Sequence, residues 1–308
     1  MNRALKIVGA LAVIAVGVAA AWTLRRRRKP EVPAEPATAL PPCIFCNEES
    51  GSEEHFWPAW VHRFIKENGI ELEGLRVQLG NEPETITDDL EKTINTVCRT
   101  CNNKWMSKVE DKNRPRFLLM MKNDPLSIDP GGMKIITEWA VLRAIMLDSE
   151  KPSIGYENFY TREERVAMRE RLEIPARTRV WFGALDGFHL GGHGTDFTIE
   201  AVHFDGSKVR IGTGCYNTIY MGYLVTQVVT EHIYPQYEFL GIAEVQPPPS
   251  ISDARLVQIY PRKREFKKFD WPTTPFTNGG PNGIGYLMYR WKKGGKQVST
   301  VTKNGVIE

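Results

Sequence analysis

The sequence predicts an α+β chain: an N-terminal transmembrane helix, a cysteine-bearing module with an insertion, then helices and a mainly antiparallel β-sheet domain. Three observations predict it. Residues 7–24 form an uncharged apolar run closed by five consecutive cations, two Cys-x-x-Cys pairs are separated by 51 residues, and beyond residue 177 the hydrophobic period changes from helical to alternating. They divide the chain into a membrane anchor with its basic flank (1–29), a Pro-rich tether (30–42), the module (43–124) and an α+β domain with a basic C-terminal segment (125–308).

A chain of 308 residues that is 42% hydrophobic and 25% charged has ordinary globular chemistry, which excludes wholesale disorder, a collagen and a polytopic membrane protein. Its net charge of +3 conceals three unlike regions. Residues 1–30 carry seven Lys/Arg and no acid, 31–254 carry 22 against 34, and 255–308 carry 11 against three. The body is acidic, so a polyanionic partner has to be met locally.

At 1.5 Å per residue the helical run 7–24 spans about 27 Å, enough for a bilayer core. Trp22 sits where an interfacial anchor belongs, and Arg25-Arg26-Arg27-Arg28-Lys29 closes the span. Ala19-Ala20-Ala21 also fits a signal-peptide cleavage site. Five cations directly behind the run oppose translocation of the downstream chain, so the expectation is a retained single-pass anchor with the C-terminal domain on the cytoplasmic side. The same cations could serve as a nucleic-acid arm, but topology is the simpler account beside an apolar span. Five prolines in residues 30–42 describe a semi-extended tether.

Cys43-Ile44-Phe45-Cys46 and Cys98-Arg99-Thr100-Cys101 supply four thiols in two tight knuckles, the usual way to surround one zinc ion with sulfur. Disulfides or redox chemistry are the alternatives. An odd count of five, in a chain expected to face the cytoplasm, disfavours a disulfide framework. Cys215, the fifth, has no evident base in sequence and is expected as a buried free thiol.

The first knuckle is followed by Glu53-Glu54-His55-Phe56-Trp57-Pro58 and the second by Asn102-Asn103-Lys104-Trp105. Over residues 43–110 this order resembles the HNH (ββα-metal, treble-clef) endonuclease family, whose pattern runs Cys-x-x-Cys, an acid and His with Pro shortly after, then Cys-x-x-Cys-Asn or -His. The resemblance implies that His55 is the general base on a hairpin, that Glu54 and Asn102 hold a catalytic Mg²⁺ or Mn²⁺, and that Cys43, Cys46, Cys98 and Cys101 hold structural zinc. An imidazole titrating near neutrality suits the base, and oxygen donors suit a hard divalent ion. The sequence departs from the pattern at two points: Asn95 is out of register with the usual Asn-Leu, and Trp105 stands where small or basic residues are common. The 13 acids against seven basic residues in 43–110 are a poor surface for a duplex. A non-catalytic, zinc-stabilised binding or scaffold protein is therefore the alternative to a nuclease, with no protein partner indicated.

Pro58 opens a helix with Trp60, Phe64 and Ile65 inward, stopped at Asn68-Gly69; His62 on it is expected as a surface or core residue. Residues 75–97 alternate as two or three short strands. A helix after Cys101 buries Trp105, Met106 and Val109, and another over 134–149 turns Ile135, Ile136, Trp139, Leu142, Ile145 and Met146 inward. Thr161-Arg162-Glu163-Glu164 is a capping box for a surface helix to Glu173. Strands are expected at 179–184, 196–204, 208–212, 219–229, 238–245 and 256–260, with a hairpin turn at Asp205-Gly206. The Gly-rich stretch from His189 to Asp196 reads as a hairpin end, and less readily as a metal loop. In the tail, Arg262-Lys263-Arg264 and Lys267-Lys268 interleaved with Phe266, Phe269 and Trp271 suit a nucleic acid, or else an anionic membrane leaflet or a solvated strand edge.

Overall fold

The computed structural model describes residues 40–52, 54–72, 75–79, 85–87, 93–154, 157–202, 207–240, 256–262, 267–273, 275 and 296–300. The chain divides into two units, Met1–Leu40 and Pro41–Glu308, and the described elements belong to the second. No helix among the described residues is long and apolar enough to cross a membrane. The expected span and most of the tether lie outside them, as do Asp205-Gly206, Lys263, Arg264 and Phe266.

The first knuckle is closed by backbone bonds from Cys43 N–H to the Glu48 carbonyl (2.8 Å) and from Ile44 N–H to the Thr96 carbonyl (3.0 Å), which bring the two cysteine pairs together across the insertion. Strand β1 (Glu54–His55) pairs antiparallel with β4 (Thr93–Ile94), His55 opposite Thr93. Between them lie α1 (Ala59–Glu67), β2 (Leu75–Leu79) and β3 (Thr85–Thr87). Helix α1 buries Trp60, Val61, Phe64 and Ile65, as its spacing predicts. After the second pair the chain is helical throughout: α2 (Arg99–Cys101), a π-helical turn (Asn102–Met106) and α3 (Ser107–Met121). Met106 and Val109 face inward, and Trp105 packs edge-on against Phe45 of the first knuckle with ring centres 5.0 Å apart.

Strand β5 (Leu126–Ile128) leads into α4 (Pro130–Asp148). This helix begins four residues before the expected start, because Asp129 caps it by accepting from Gly132 N–H (2.7 Å) and Pro130 fits the first turn. Beyond its exposed first turn, from Ile136 to Asp148, it is mainly apolar and buried on every side, packed against α3 and the main sheet. The expected capping box is present in α5 (Arg162–Arg171), which stops two residues before Glu173 where Leu172 takes a left-handed conformation (φ 51°).

The sheet is built on two strands, β6 (Thr178–Val202) and β7 (Lys208–Ile233), paired antiparallel along their whole length. The segments expected at 179–184 and 196–204, the latter described as far as Val202, belong to one continuous strand, and those at 208–212 and 219–229 to the other. The stretch from His189 to Asp196, read as a hairpin end, lies inside β6. Its glycines are explained by packing: a Cβ on Gly192 would lie 3.3 Å from Phe56 and 3.4 Å from Leu147 of α4, and one on Gly194 only 2.4 Å from Asn217 Oδ1. Between Ala184 and His189 the register shifts, and the bulge sets Phe188 in a stack with Phe64 of α1 (6.2 Å). Strands β8 (Val257–Tyr260) and, in parallel, β2 and β10 (Lys296–Thr300) also pair with β6, so the insertion between the cysteine pairs is part of this sheet.

The ribbon coils back on itself. Tyr234 N–H donates to the Ile211 carbonyl (2.9 Å), joining the end of β7 to its beginning. A second apolar cluster, with Trp181, Phe197, Ile199, Ile211, Tyr220 and Ile233, packs apart from the main core, which lies between the sheet and the helices. Both faces of the ribbon are therefore apolar, which is why 219–229 reads as one long hydrophobic run.

Two further expectations are corrected. Glu238 to Leu240, expected as the start of a strand, lie in a 3-10 turn (Pro235–Leu240), and 241–245 fall outside the described residues. Phe269 and Trp271 are not free to stack on bases: β9 (Phe269–Trp271) pairs with β5, and both rings are buried against Phe182. Tertiary packing has claimed the aromatic half of the basic tail.

Gly212 is where the coil closes, since a Cβ there would lie 2.3 Å from the His232 carbonyl oxygen and 3.1 Å from Ile233 Cα, both backbone. Gly212→Ala is expected to destabilise by about 1–3 kcal/mol through overpacking. Gly131→Ala, whose nearest contact would be an ordinary 3.5 Å, should leave the melting temperature unchanged or raised. Equal melting of the two variants would count against the closure.

Candidate metal centre

The four module thiols converge. Their sulfurs all lie within 4.8 Å of one another, and all four residues are buried. Cys46 Sγ is 3.5 Å from Cys98 Sγ and 3.7 Å from Cys101 Sγ. A zinc–sulfur bond of about 2.3 Å in a tetrahedron places sulfurs about 3.8 Å apart, so the cluster has the size of a thiolate metal site. All five cysteines are free.

The knuckles are shaped by their own backbone. Phe45 N–H points at Cys43 Sγ (3.5 Å) and Cys101 N–H donates to Cys98 Sγ (3.3 Å), so each pair turns its sulfurs inward while an amide supports one of them. Cys98 also caps α2, which places Cys101 one turn further on. Burial works against charge here: it pushes the Cys98 thiol up to about 12 and raises Cys101 further. Burial would also raise Cys43, but backbone hydrogen bonds involving Cys98, Phe45 and Cys46 outweigh it and hold that thiol below its ordinary value. One thiol is held below its ordinary value and two are raised, and a cation such as zinc could complete such a cluster electrostatically.

The other expected site residues surround this centre unequally. His55 is half-buried on β1, and Asn102 opens the π-helical turn directly behind Cys101. Asn102 Nδ2 donates to Ser52 Oγ (3.5 Å), tying the helix start to the chain that leads into β1. Glu54 pairs through its backbone with Ile94, and its side chain is outside the described atoms. The structure adds a residue that sequence reasoning set aside: His62 of α1 meets the His55 ring edge-on, centres 5.8 Å apart. A histidine seven residues from another across a strand-to-helix turn carries no periodic signal, so only the tertiary fold reveals the pair.

A second cluster, Asp148, Asp196 and Cys215, has metal-like spacing. Its centre is already taken by a cation, because the Lys151 ammonium lies 2.7 Å from Asp148 Oδ1, 2.5 Å from Asp196 Oδ1 and 3.5 Å from Cys215 Sγ. Burial pushes the Cys215 thiol well above its ordinary value, as an inert buried cysteine requires. Cys215 thus has a charged neighbour that its sequence surroundings did not show. His193 is buried and pairs with the Tyr216 hydroxyl (3.0 Å), and among the described residues neither His189 nor His193 joins a metal-type cluster.

No protein-family model, no curated protein and no solved structure matches this chain.

Cys98→Ser removes one sulfur from the cluster while leaving a hydroxyl that can still cap α2. Bound zinc should fall to a small fraction of one per chain, and the module should melt, because structural zinc contributes on the order of 10 kcal/mol to such sites. Metal analysis with thermal denaturation checks this, and unchanged values would sink the metal centre. The direction of the Cys98 and Cys101 shifts also sets a pH dependence. Both thiols hold their protons at neutral pH in the metal-free site and must lose them to bind. Two protons released from these thiols alone should weaken zinc affinity by at least about a hundredfold per unit fall in pH, which competition with a chelator of known pH dependence at pH 6 and 7 would measure.

Proposed function

We propose that this chain is a membrane-tethered, HNH-like metal-dependent endonuclease that hydrolyses phosphodiester bonds of nucleic acid, with structural zinc in the four-cysteine cluster. The observation that carries this is the order of parts around the cluster. A knuckle is followed by a strand bearing His55, its antiparallel partner strand, and a helix that opens on the second cysteine pair and turns π-helical at Asn102. That order resembles a ββα-metal motif, and π-helical turns concentrate at functional positions. Zinc would neutralise the buried thiolates and hold knuckle and helix in register.

In this reading His55 accepts the proton of a water molecule whose oxygen attacks phosphorus, and returns it to solvent after the bond breaks. Glu54 and Asn102 would hold Mg²⁺ or Mn²⁺, which supplies charge stabilisation to the phosphate and the leaving oxygen. The half-buried setting of His55 suits a base that must exchange protons with solvent. Residues 1–29 would anchor the enzyme in a single pass with its body on the cytoplasmic face, supported by the five cations behind the apolar run.

One observation favours the alternative of a non-catalytic, zinc-stabilised binding or scaffold protein. The cysteines share a hydrophobic core with the helices and the sheet, as a purely architectural centre would. Plasmid nicking by the detergent-solubilised full chain in Mn²⁺ decides between the two. The nuclease predicts cleavage that drops at least about 100-fold in His55→Ala, the scale of general-base catalysis, with zinc content retained. Wild-type cleavage no greater than that of His55→Ala leaves the scaffold.

A further inference from the structure

We infer that Arg143 and Ser149, both supplied by α4 and its C-terminal cap, are positioning residues for His55, because they hold the two strands of the His55 hairpin at separate points. The inference rests on the nuclease reading for its consequence, but its geometry stands alone. Arg143 is fully buried, yet it lies in the middle of an apolar helix. Its Nη1 donates to the carbonyl oxygen of Phe56, the residue after His55, at 2.8 Å. Its Nη2 is ion-paired with Glu110 of α3, the helix that continues from the second cysteine pair. The guanidinium also lies over the Trp139 ring, 5.9 Å from its centre. One rigid fork thus joins the exit of β1 to the helix behind the metal centre.

The second point is on the other strand. Ser149 Oγ lies 2.8 Å from Thr96 Oγ1, two residues beyond β4 and two before Cys98, and itself donates to the Met146 carbonyl (2.6 Å). The hairpin that carries His55 is therefore referenced to α4 on both sides, through the Phe56 carbonyl and the Thr96 hydroxyl. An arginine suits the first role where lysine would not, since only a planar fork reaches a carbonyl and a carboxylate in two fixed directions. A buried charge there is otherwise hard to explain, because an apolar residue would satisfy an all-buried helix at lower desolvation cost.

Positioning predicts a loss in turnover rather than in binding. In the full chain, Arg143→Lys should keep zinc and fold cooperatively at a lower melting temperature, and reduce kcat roughly 10- to 100-fold with KM unchanged. Ser149→Ala, a milder change at the second tether, should lower kcat in the same direction by a smaller factor. The His55 ring resonances should shift in both folded variants. Arg143→Lys added to His55→Ala should cost nothing beyond His55→Ala alone, because a residue acting through His55 has nothing left to position.

The idea is overturned if folded Arg143→Lys and Ser149→Ala leave the His55 resonances in place, whether or not the protein cleaves nucleic acid. It is also overturned if the Arg143→Lys and His55→Ala effects multiply. Wild type that is no more active than His55→Ala would remove the nuclease reading, and the resonance shifts would still report whether α4 sets the His55 hairpin.

Discussion

A helix buried on all sides has no water to satisfy its polar side chains, and α4 therefore governs what packs on it. Thr137 and Glu138 are answered within the helix, by the Met133 carbonyl and Lys134, but the polar groups toward its C-terminal end are answered from other parts of the chain. Arg143 is answered by Phe56 and Glu110, and Asp148 by Lys151 and by the backbone amides of Phe159 and Tyr160. Ser149 is answered by Thr96. Leaving any buried charge of this kind unpaired costs several kcal/mol, so the cysteine module, the segment leading to α5 and the sheet are held to one another through this helix. The glycines of β6 complete the constraint by letting Leu147 approach the strand.

Charge is arranged in the same way. The acidic body contains buried cations, Lys151, Arg143 and Arg179, each facing carboxylates that low dielectric would otherwise neutralise. The cysteine cluster is the complementary case. Its sulfurs are gathered in a buried place, and among the described residues no lysine or arginine ion pair fills it, whereas the Asp148–Asp196–Cys215 cluster holds Lys151. That contrast separates a metal site from an internal salt bridge more sharply than ligand spacing does.

Much of the local structure was legible in the residues. The capping box at Thr161 and the stripe of Trp60, Phe64 and Ile65 follow from short-range rules, the convergence of the four cysteines follows from the pairing of two ligand knuckles, and the structure agrees. The misreadings share one cause. Gly191, Gly192 and Gly194 resembled a turn because glycine has the same sequence signature whether it bends the chain or makes room for a neighbour. Phe269 and Trp271 resembled a stacking surface because an aromatic between cations looks alike on either side of a core boundary. Of the candidate site, the ligand set was visible, but the His55–His62 contact and the Arg143 tether were not, since both join residues through packing.

What the sequence determined by itself was chemistry at fixed spacing: two knuckles of sulfur, a histidine after an acid, an asparagine after the last cysteine, and an apolar run closed by cations. These depend on backbone geometry over a few residues, which identity alone specifies. Only the tertiary structure decided that two strands of 25 and 26 residues coil into a closed ribbon, that Lys151 fills the second cluster, and that α4 holds the His55 hairpin from both sides. The Lys151–Asp196, Ser149–Thr96 and Arg143–Phe56 contacts join residues 45, 53 and 87 positions apart along the chain. Their free energy comes from desolvation and pairing in the assembled core, and nothing in the local order of residues encodes which partner will be there.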